Sequence, residues 1–266
     1  MTLKAEGVEA EATHALSPSV IERAIRVIDA VHEAGGQLSL TGLVAQTGLP
    51  KTTVHRLASE LVRLGVVERS QGDYRLGVRA FQWGCTAPFI GVLRNVALPV
   101  MEELTRVGQV VVRLSVLDGD YVVFVTTLGN HWLPLEDGLQ HTTTLNDPRT
   151  RLPAHATASG KVMLAYRTDP LQGQPRLPAL TSATITDPGR LRRQLATVRE
   201  KGFGLDIGEA RCGVVAAAAP LWYRADVVGA LSIASGNATL EPSSLALAVE
   251  KGAQRVRSLL SHRAAF

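Results

Sequence analysis

The sequence predicts an α+β fold in two parts: an N-terminal winged helix-turn-helix and a larger C-terminal α/β domain. Three observations carry that expectation. The chain has 266 residues, enough for two cores of ordinary size. Residues 17–77 hold three segments of helical period separated by glycine stops, followed by a hairpin signature. Beyond residue 108 the apolar period shifts towards two, with helical stretches set between Val-rich runs.

Residues 1–16 are polar and aperiodic and read as a disordered leader. Ser17-Pro18 reads as a helix entry, with Ile21, Ala24, Ile25, Ile28 and Val31 as one apolar face and Gly35-Gly36 as the stop. Ser39 suits the cap of a short second helix, in which Leu40, Leu43 and Val44 face inward. Thr47-Gly48 ends it, because glycine accepts the left-handed backbone of a tight turn. Pro50 opens a third helix with the stripe Val54, Leu57, Leu61 and Leu64, and Gly65 closes it. Residues 66–69, the turn Ser70-Gln71-Gly72-Asp73 and residues 74–76 read as a two-stranded hairpin, the wing of domain 17–77.

Residues 78–95 are expected to form a linking helix, and 96–266 the second domain. That domain should hold a helix from Leu98 to Arg106 with Pro99 near its start, then strands at 109–117 and 121–127 joined through Asp118-Gly119-Asp120. A loop is expected over 129–153, a helix near His155 and another from Pro188 to Lys201. Strands around 203–207, 214–222 and 227–234 and a closing helix over 241–262 complete it.

Composition narrows the function classes. Hydrophobic content of 45% and charged content of 20% are those of a soluble globular protein. No apolar run reaches the roughly 18 residues of a membrane span, and no secretory signal stands at the start, so no membrane partner and a cytoplasmic location are expected. Cys85 and Cys212 lie too far apart in sequence for a disulfide framework. The net charge of +4 permits nucleic-acid binding without arguing for it; residues 17–79 carry eight Lys or Arg against six Asp or Glu.

Pattern is more informative than charge. On a wheel of about 100° per residue, Thr52, Arg56, Ser59 and Arg63 cluster opposite the apolar stripe of the third helix, flanked by Lys51 and His55. Hydroxyls and guanidinium groups can bond base edges in a major groove, and the N-terminal residues of such a helix reach the bases, which favours Lys51, Thr52, Thr53, His55 and Arg56. Arg69 and Arg75 flank the hairpin tip and would lie on phosphate, adding salt-dependent affinity. The expected partner is double-stranded operator DNA.

At this point the residues resemble the IclR-type bacterial transcription regulators. LTGLVAQTGLPKTTVHRLASELVRLGVVER is similar to that family's helix-turn-helix, and YRLGVRAFQWG to its wing and linker. LPAHATASGKVMLA and GVVAAAAPLWYRADVVGALSIASG resemble its effector-domain motifs. The resemblance implies a GAF-like α/β effector domain, a small-molecule effector (an organic or aromatic acid) and a homodimer or tetramer. It implies an effector site at Ala158 and Ser159, whose amides would hold a carboxylate at a helix start, with Asp206 and Ser232 beside it. Ala216 stands where some members have a cysteine and Ala234 where a second serine is common, so the pocket is expected to be less polar and its effector larger or more apolar.

Other chemistry fits poorly. ATASGK lacks the first glycine and the trailing Ser or Thr of a phosphate loop, His155 and Val162 standing there instead. Gly202-Phe203-Gly204 lacks the third glycine of a dinucleotide fingerprint. The spacings of His131, His141 and His155 match no common ligand motif, so neither metal nor cofactor is expected. A cysteine-dependent enzyme would need a base near Cys212 or Cys85, which no His spacing supplies; no catalytic residue is assigned. A winged-helix adaptor for a protein partner is the other alternative, and it would use apolar residues in place of the Thr52/Arg56/Ser59/Arg63 face.

Overall fold

The computed structural model describes residues 18–85, 88–129, 151–171, 177–236 and 240–263. The 1–16 leader, His131, His141 and most of the expected 129–153 loop lie outside them. The chain divides into two compact units, Met1–Thr86 and Ala87–Phe266.

In the first unit, α1 (Val20–Glu33) is capped by Ser19, whose Oγ accepts the Glu22 N–H at 3.1 Å, two residues beyond the expected Ser17. Its buried face is Val27, Ala30 and Val31, with Ala24 and Ile28 partly covered, whereas Ile21 and Ile25 are 77% and 49% exposed. This corrects the expected stripe: spacings of three and four ran along both the inner face and its flank, and the period alone does not say which is covered. α2 (Leu40–Thr47) is capped by Ser39 and ends at Gly48 with φ 65°, as the Thr-Gly pair requires. α3 (Lys51–Arg63) buries Val54, Leu57, Ala58 and Leu61 against α1 and α2, each full burial stabilising by about 1.5–3 kcal/mol for the larger side chains. Leu64 is instead its C-cap residue and 42% exposed.

The wing pairs β2 (Val67–Ser70) with β3 (Asp73–Leu76), and Gln71 and Gly72 both take positive φ (52° and 93°), as a tight two-residue hairpin turn demands. A further strand, β1 (Gln37–Leu38), pairs with the outer side of β3, so the sheet has three strands rather than two. Two residues are too few to show a period. α4 (Val78–Cys85) follows within this unit.

The second unit begins with α5 (Pro88–Leu104), which runs through Pro99; α4 and the first half of α5 fall in the expected 78–95 linking segment, with residues 86–87 outside the described ones, and the helix placed at Leu98–Arg106 starts ten residues earlier. Its core is a six-stranded antiparallel sheet in the order β6-β5-β4-β9-β8-β7. The strands are β4 (Val111–Asp118), β5 (Tyr121–Gly129), β6 (Arg151–Pro153), β7 (Gly204–Ile207), β8 (Val215–Tyr223) and β9 (Asp226–Ser235). β6 falls in the segment expected as loop; it is three residues long and pairs with the start of β5. α5 and α8 (Pro242–Arg263) cover one face around Val112, Leu114, Leu221 and Ile233. α6 (Ala158–Ala165) and α7 (Pro188–Lys201) cover the other, around Val122, Val162, Leu191 and Leu195. β8 opens with Val215 and four consecutive alanines, so small side chains meet helices on both faces of the sheet.

Candidate DNA-reading helix and effector pocket

α3 presents Lys51, Thr52, His55, Arg56, Ser59 and Arg63 to solvent on one exposed face, with Thr53 half-buried beside them. Its N-cap is Pro50 and no side chain caps it, so the first-turn amides have no local side-chain acceptor. Arg63 is held by Glu60 at 2.8 Å, and Arg75 by Glu68 at 2.5 Å, both exposed pairs of small net energy that a phosphate can displace. Arg69 lies over the Tyr74 ring at 5.7 Å, on the wing. The nine residues expected to meet DNA therefore divide between one helix face and the two strands of the hairpin.

The six residues expected in the effector site come together in the second unit. Strand register lines up Asp206, Ala216 and Ala234 across β7, β8 and β9, and sets Ser232 opposite Arg113 in the next row. Above these rows sits the start of α6. Thr157 is its N-cap: its Oγ1 accepts the Gly160 N–H at 2.9 Å and its carbonyl the Lys161 N–H, leaving the Ala158 and Ser159 amides to point along the helix axis at the pocket. Gly160 is required here, since a Cβ would run into the Ala154 backbone. Ser159 Oγ lies 3.5 Å from Ser115 Oγ on the sheet.

Phe124, Leu152, Val214 and Arg211 complete the walls around about 40 Å³ of free space. Two larger hollows, about 180 Å³ beside Trp222 and about 290 Å³ beside Arg167, contain no buried charged group. Sequence reasoning missed Arg113, whose only signal is a single charge inside the apolar run VVVRLSV. Its side chain, 5% exposed, stands in the row next to Asp206, Ala216 and Ala234, so the pocket lining holds a buried guanidinium and a buried carboxyl beside its alanines. Burial pushes its guanidinium down to about 10.

Behind the pocket, Lys161 and Glu209 form a buried ion pair at 2.5 Å, their side chains 0% and 8% exposed. The Glu209 carbonyl accepts hydrogen bonds from Thr181 and Thr184, fixing the turn that follows β7. His155 is fully buried with Nε2 3.0 Å from the Pro178 carbonyl, and burial lowers its pKa; it packs at the approach to α6. Among the described residues no cluster of three or more His, Cys, Asp or Glu converges on a point. Cys212 is exposed.

Asp206 closes the turn by accepting the Glu209 and Ala210 N–H groups on Oδ1. Burial pushes its carboxyl up to about 6, against the opposing pull of Lys161 and those donors. A carboxyl raised from 3.8 binds its proton more tightly in the native state, so its contribution to stability is fully present below about 3.8 and lost as pH rises through about 6. Asp206→Asn keeps the Oδ1 acceptor and removes the titration. The wild-type stability relative to this variant, from urea unfolding, is expected to fall between about pH 4 and 6 and to level off above. Parallel curves across that window would contradict it.

Residues 20–71 match the IclR helix-turn-helix domain, and residues 92–258 match the model for the bacterial transcriptional regulator IclR C-terminal domain. The HTH-type transcriptional regulator XynR of Escherichia coli K12 is 29% identical over 238 residues, covering 85% of this chain and 89% of that protein. The transcriptional repressor IclR of the same organism is 28% identical over 203 residues, covering 73% of this chain and 71% of that one. A crystal structure of an IclR homolog from Microbacterium hydrocarbonoxydans, complexed with 4-hydroxybenzoate, superposes with a TM-score of 0.79 at 26% identity, covering 92% of this chain and 100% of that one.

Proposed function

Because the chain belongs to the IclR family of bacterial transcriptional regulators, we propose that α3 and the wing read its operator and that the pocket beneath α6 takes a small aromatic acid as effector. The relatives are transcription regulators, which disfavours the cysteine-enzyme and adaptor readings. In this reading Lys51, Thr52, Thr53, His55, Arg56, Ser59 and Arg63 meet the major groove, while Arg69 and Arg75 meet phosphate. No single helix among the described residues is long and apolar enough to cross a membrane, and we place the protein in the cytoplasm with its DNA.

The observation that carries the sensory half is the convergence of Ala158, Ser159, Asp206, Ala216, Ser232 and Ala234, spread over 77 positions of sequence, on one pocket. The helix start favours an acid group, and Phe124, Leu152 and Val214 favour a ring. The 4-hydroxybenzoate in the Microbacterium homolog supports the same class. A benzene-sized cavity is about 150 Å³, so 40 Å³ admits a ring only if a wall retreats. The turn after β7 is held through Glu209 and Ala210 in its first half, and the stretch beyond, from Arg211 through Gly213 at positive φ (73°) to Val214, is the wall we expect to yield. An effector that binds the widened arrangement better shifts the population towards it, which is what a signal requires. Segments 17–77, 78–95 and 96–266 then act as reader, connector and sensor, the connector converting a change in the sensors into altered spacing of paired recognition helices.

Pairing requires a homodimer or a tetramer. Val20, Ile21 and Ile25 on α1 and Val78 and Phe81 on α4 are at least 49% exposed, apolar surface that a second copy would cover. Ile21→Asp/Ile25→Asp is expected to shift sedimentation towards the monomer and to weaken operator binding; unchanged association would remove α1 from the interface.

The central test is titration calorimetry of the protein with 4-hydroxybenzoate and with glyoxylate, then an operator shift with each. The expected result is tighter binding of the aromatic acid and a changed affinity for the intergenic DNA beside its own gene. Preference for glyoxylate would overturn the aromatic assignment.

A further inference from the structure

We propose that α7 is a second DNA-binding surface, a stripe of cations that lies on the phosphates of duplex DNA flanking the operator and adds affinity without reading sequence. This rests on the operator-binding reading above and goes beyond it, since that reading places every DNA contact in the winged helix.

The observation that carries it is where the charge of this chain sits. α7 (Pro188–Lys201) holds Arg190, Arg192, Arg193, Arg199 and Lys201 against a single acid, Glu200, a net charge of +4 in 14 residues. The whole chain is also +4, so all its other residues carry 23 Lys or Arg and 23 Asp or Glu and cancel. One helix of the sensory unit therefore matches the entire excess, and it is twice as positive as residues 17–79 with their eight cations and six acids.

Packing turns these charges outward. Leu191, Leu195 and Val198 bury the inner side of α7 against the core of the second unit. At about 100° per residue, Arg190, Arg193, Thr197 and Lys201 form one stripe on the solvent side, spaced i, i+3, i+7 and i+11, and all four are exposed. At about 1.5 Å per residue the stripe is about 16 Å long. Among the described residues no ion pair engages Arg190, Arg192, Arg193 or Lys201. Arg199 differs, because its Nε donates to the Ala165 carbonyl at the end of α6.

Helix stability does not account for the pattern. The first turn holds Arg190 and no acid, although the positive end of the helix dipole favours acids there. Arg190 and Arg193 stand one turn apart and repel each other. A surface that serves only solubility intersperses both signs. A duplex carries one negative charge per about 1.7 Å of its axis, so the stripe faces about nine phosphates and can neutralise about three of them. Because α3 already holds a duplex, even a weak phosphate contact by α7 acts at high effective concentration.

The test uses the full-length protein and two duplexes from the intergenic DNA beside its own gene. One is the shortest fragment that wild type retards; the other extends it by about 30 base pairs, three helical turns, on each side. Wild type is expected to bind the extended duplex at least about tenfold more tightly at low salt, with a slope of log affinity against log salt steeper by about three. Arg190→Gln/Arg193→Gln/Lys201→Gln should bind the short duplex as wild type does and lose most of that gain and the extra slope. Its urea midpoint should match wild type, as the three side chains are exposed. Arg190→Lys/Arg193→Lys should keep most of the gain, since phosphate asks chiefly for charge. A triple Gln variant that keeps the gain overturns the proposal and leaves the stripe to an acidic protein surface. Equal losses on both duplexes, or a wild type that gains nothing from the extension, overturn it as well. If wild type retards no fragment of that DNA, the operator reading itself fails and takes this surface with it.

Discussion

Replacing Lys161 with methionine is expected to destabilise the second unit by about 3–5 kcal/mol, because it strands Glu209 as a buried carboxylate without its cation. The pair is at 2.5 Å with side chains 0% and 8% exposed, so water cannot take over the role of either partner. Glu209 cannot readily swing out, since its backbone carbonyl is held by Thr181 and Thr184 and its amide by Asp206. Urea unfolding would show the loss as a shifted midpoint. Lys161→Met/Glu209→Leu should recover to within about 1 kcal/mol of wild type, because the cost lies in the orphaned charge and not in the absence of an ion pair. A single-variant loss under about 1 kcal/mol would mean that the site hydrates more easily than its burial implies. The single variant should also raise the Asp206 pKa further, as the Lys161 charge is the first of the influences that oppose its burial.

Arg56→Ala is expected to cost about 1–3 kcal/mol of operator affinity and to relax base preference at one position of each half-site. Arg56 stands on the exposed face of α3 within its first two turns, where a recognition helix reaches base edges. Arg75→Ala should behave differently. It sits on the wing, paired with Glu68, and would weaken specific and non-specific duplexes alike while reducing the slope of log affinity against log salt by about one. Binding titrations on operator and unrelated DNA at several salt concentrations separate the two. Equal losses on both duplexes for Arg56→Ala would move it from base reading to phosphate contact.

How much of this was legible in the sequence depends on the length over which each feature is written. The stops at Gly48 and Gly65 and the turns at Gln71-Gly72 and Gly119-Asp120 sit where glycine and polar residues announced them, since positive φ is a local demand. α7 runs from Pro188 to Lys201 as read, being a long amphipathic segment with a capping aspartate and a terminal glycine. β1 and β6, of two and three residues, carry no period and become visible only through their partners β3 and β5. The inner face of α1 was misjudged because Ile21 and Ile25 look like core residues wherever they stand. The pocket was legible only through the family resemblance, as its six expected members lie on three strands and one helix start and meet through sheet register. Arg113 carried a signal, one charge in a buried strand, but nothing local says whether such a residue turns outward on a bend or inward to the sheet face.

The run of alanines in β8, with Ala230 and Ala234 beside it, has a consequence for how this molecule can change. Each alanine on the pocket floor is a position where added carbon atoms would subtract volume from the ligand's share without disturbing a hydrogen bond of the sheet. Ligand size is in that sense adjustable one methyl group at a time, while the backbone ladder of the sheet stays fixed. Paralogues that answer to different metabolites can diverge along those few positions and keep the same reader, the same strand order and the same signal path.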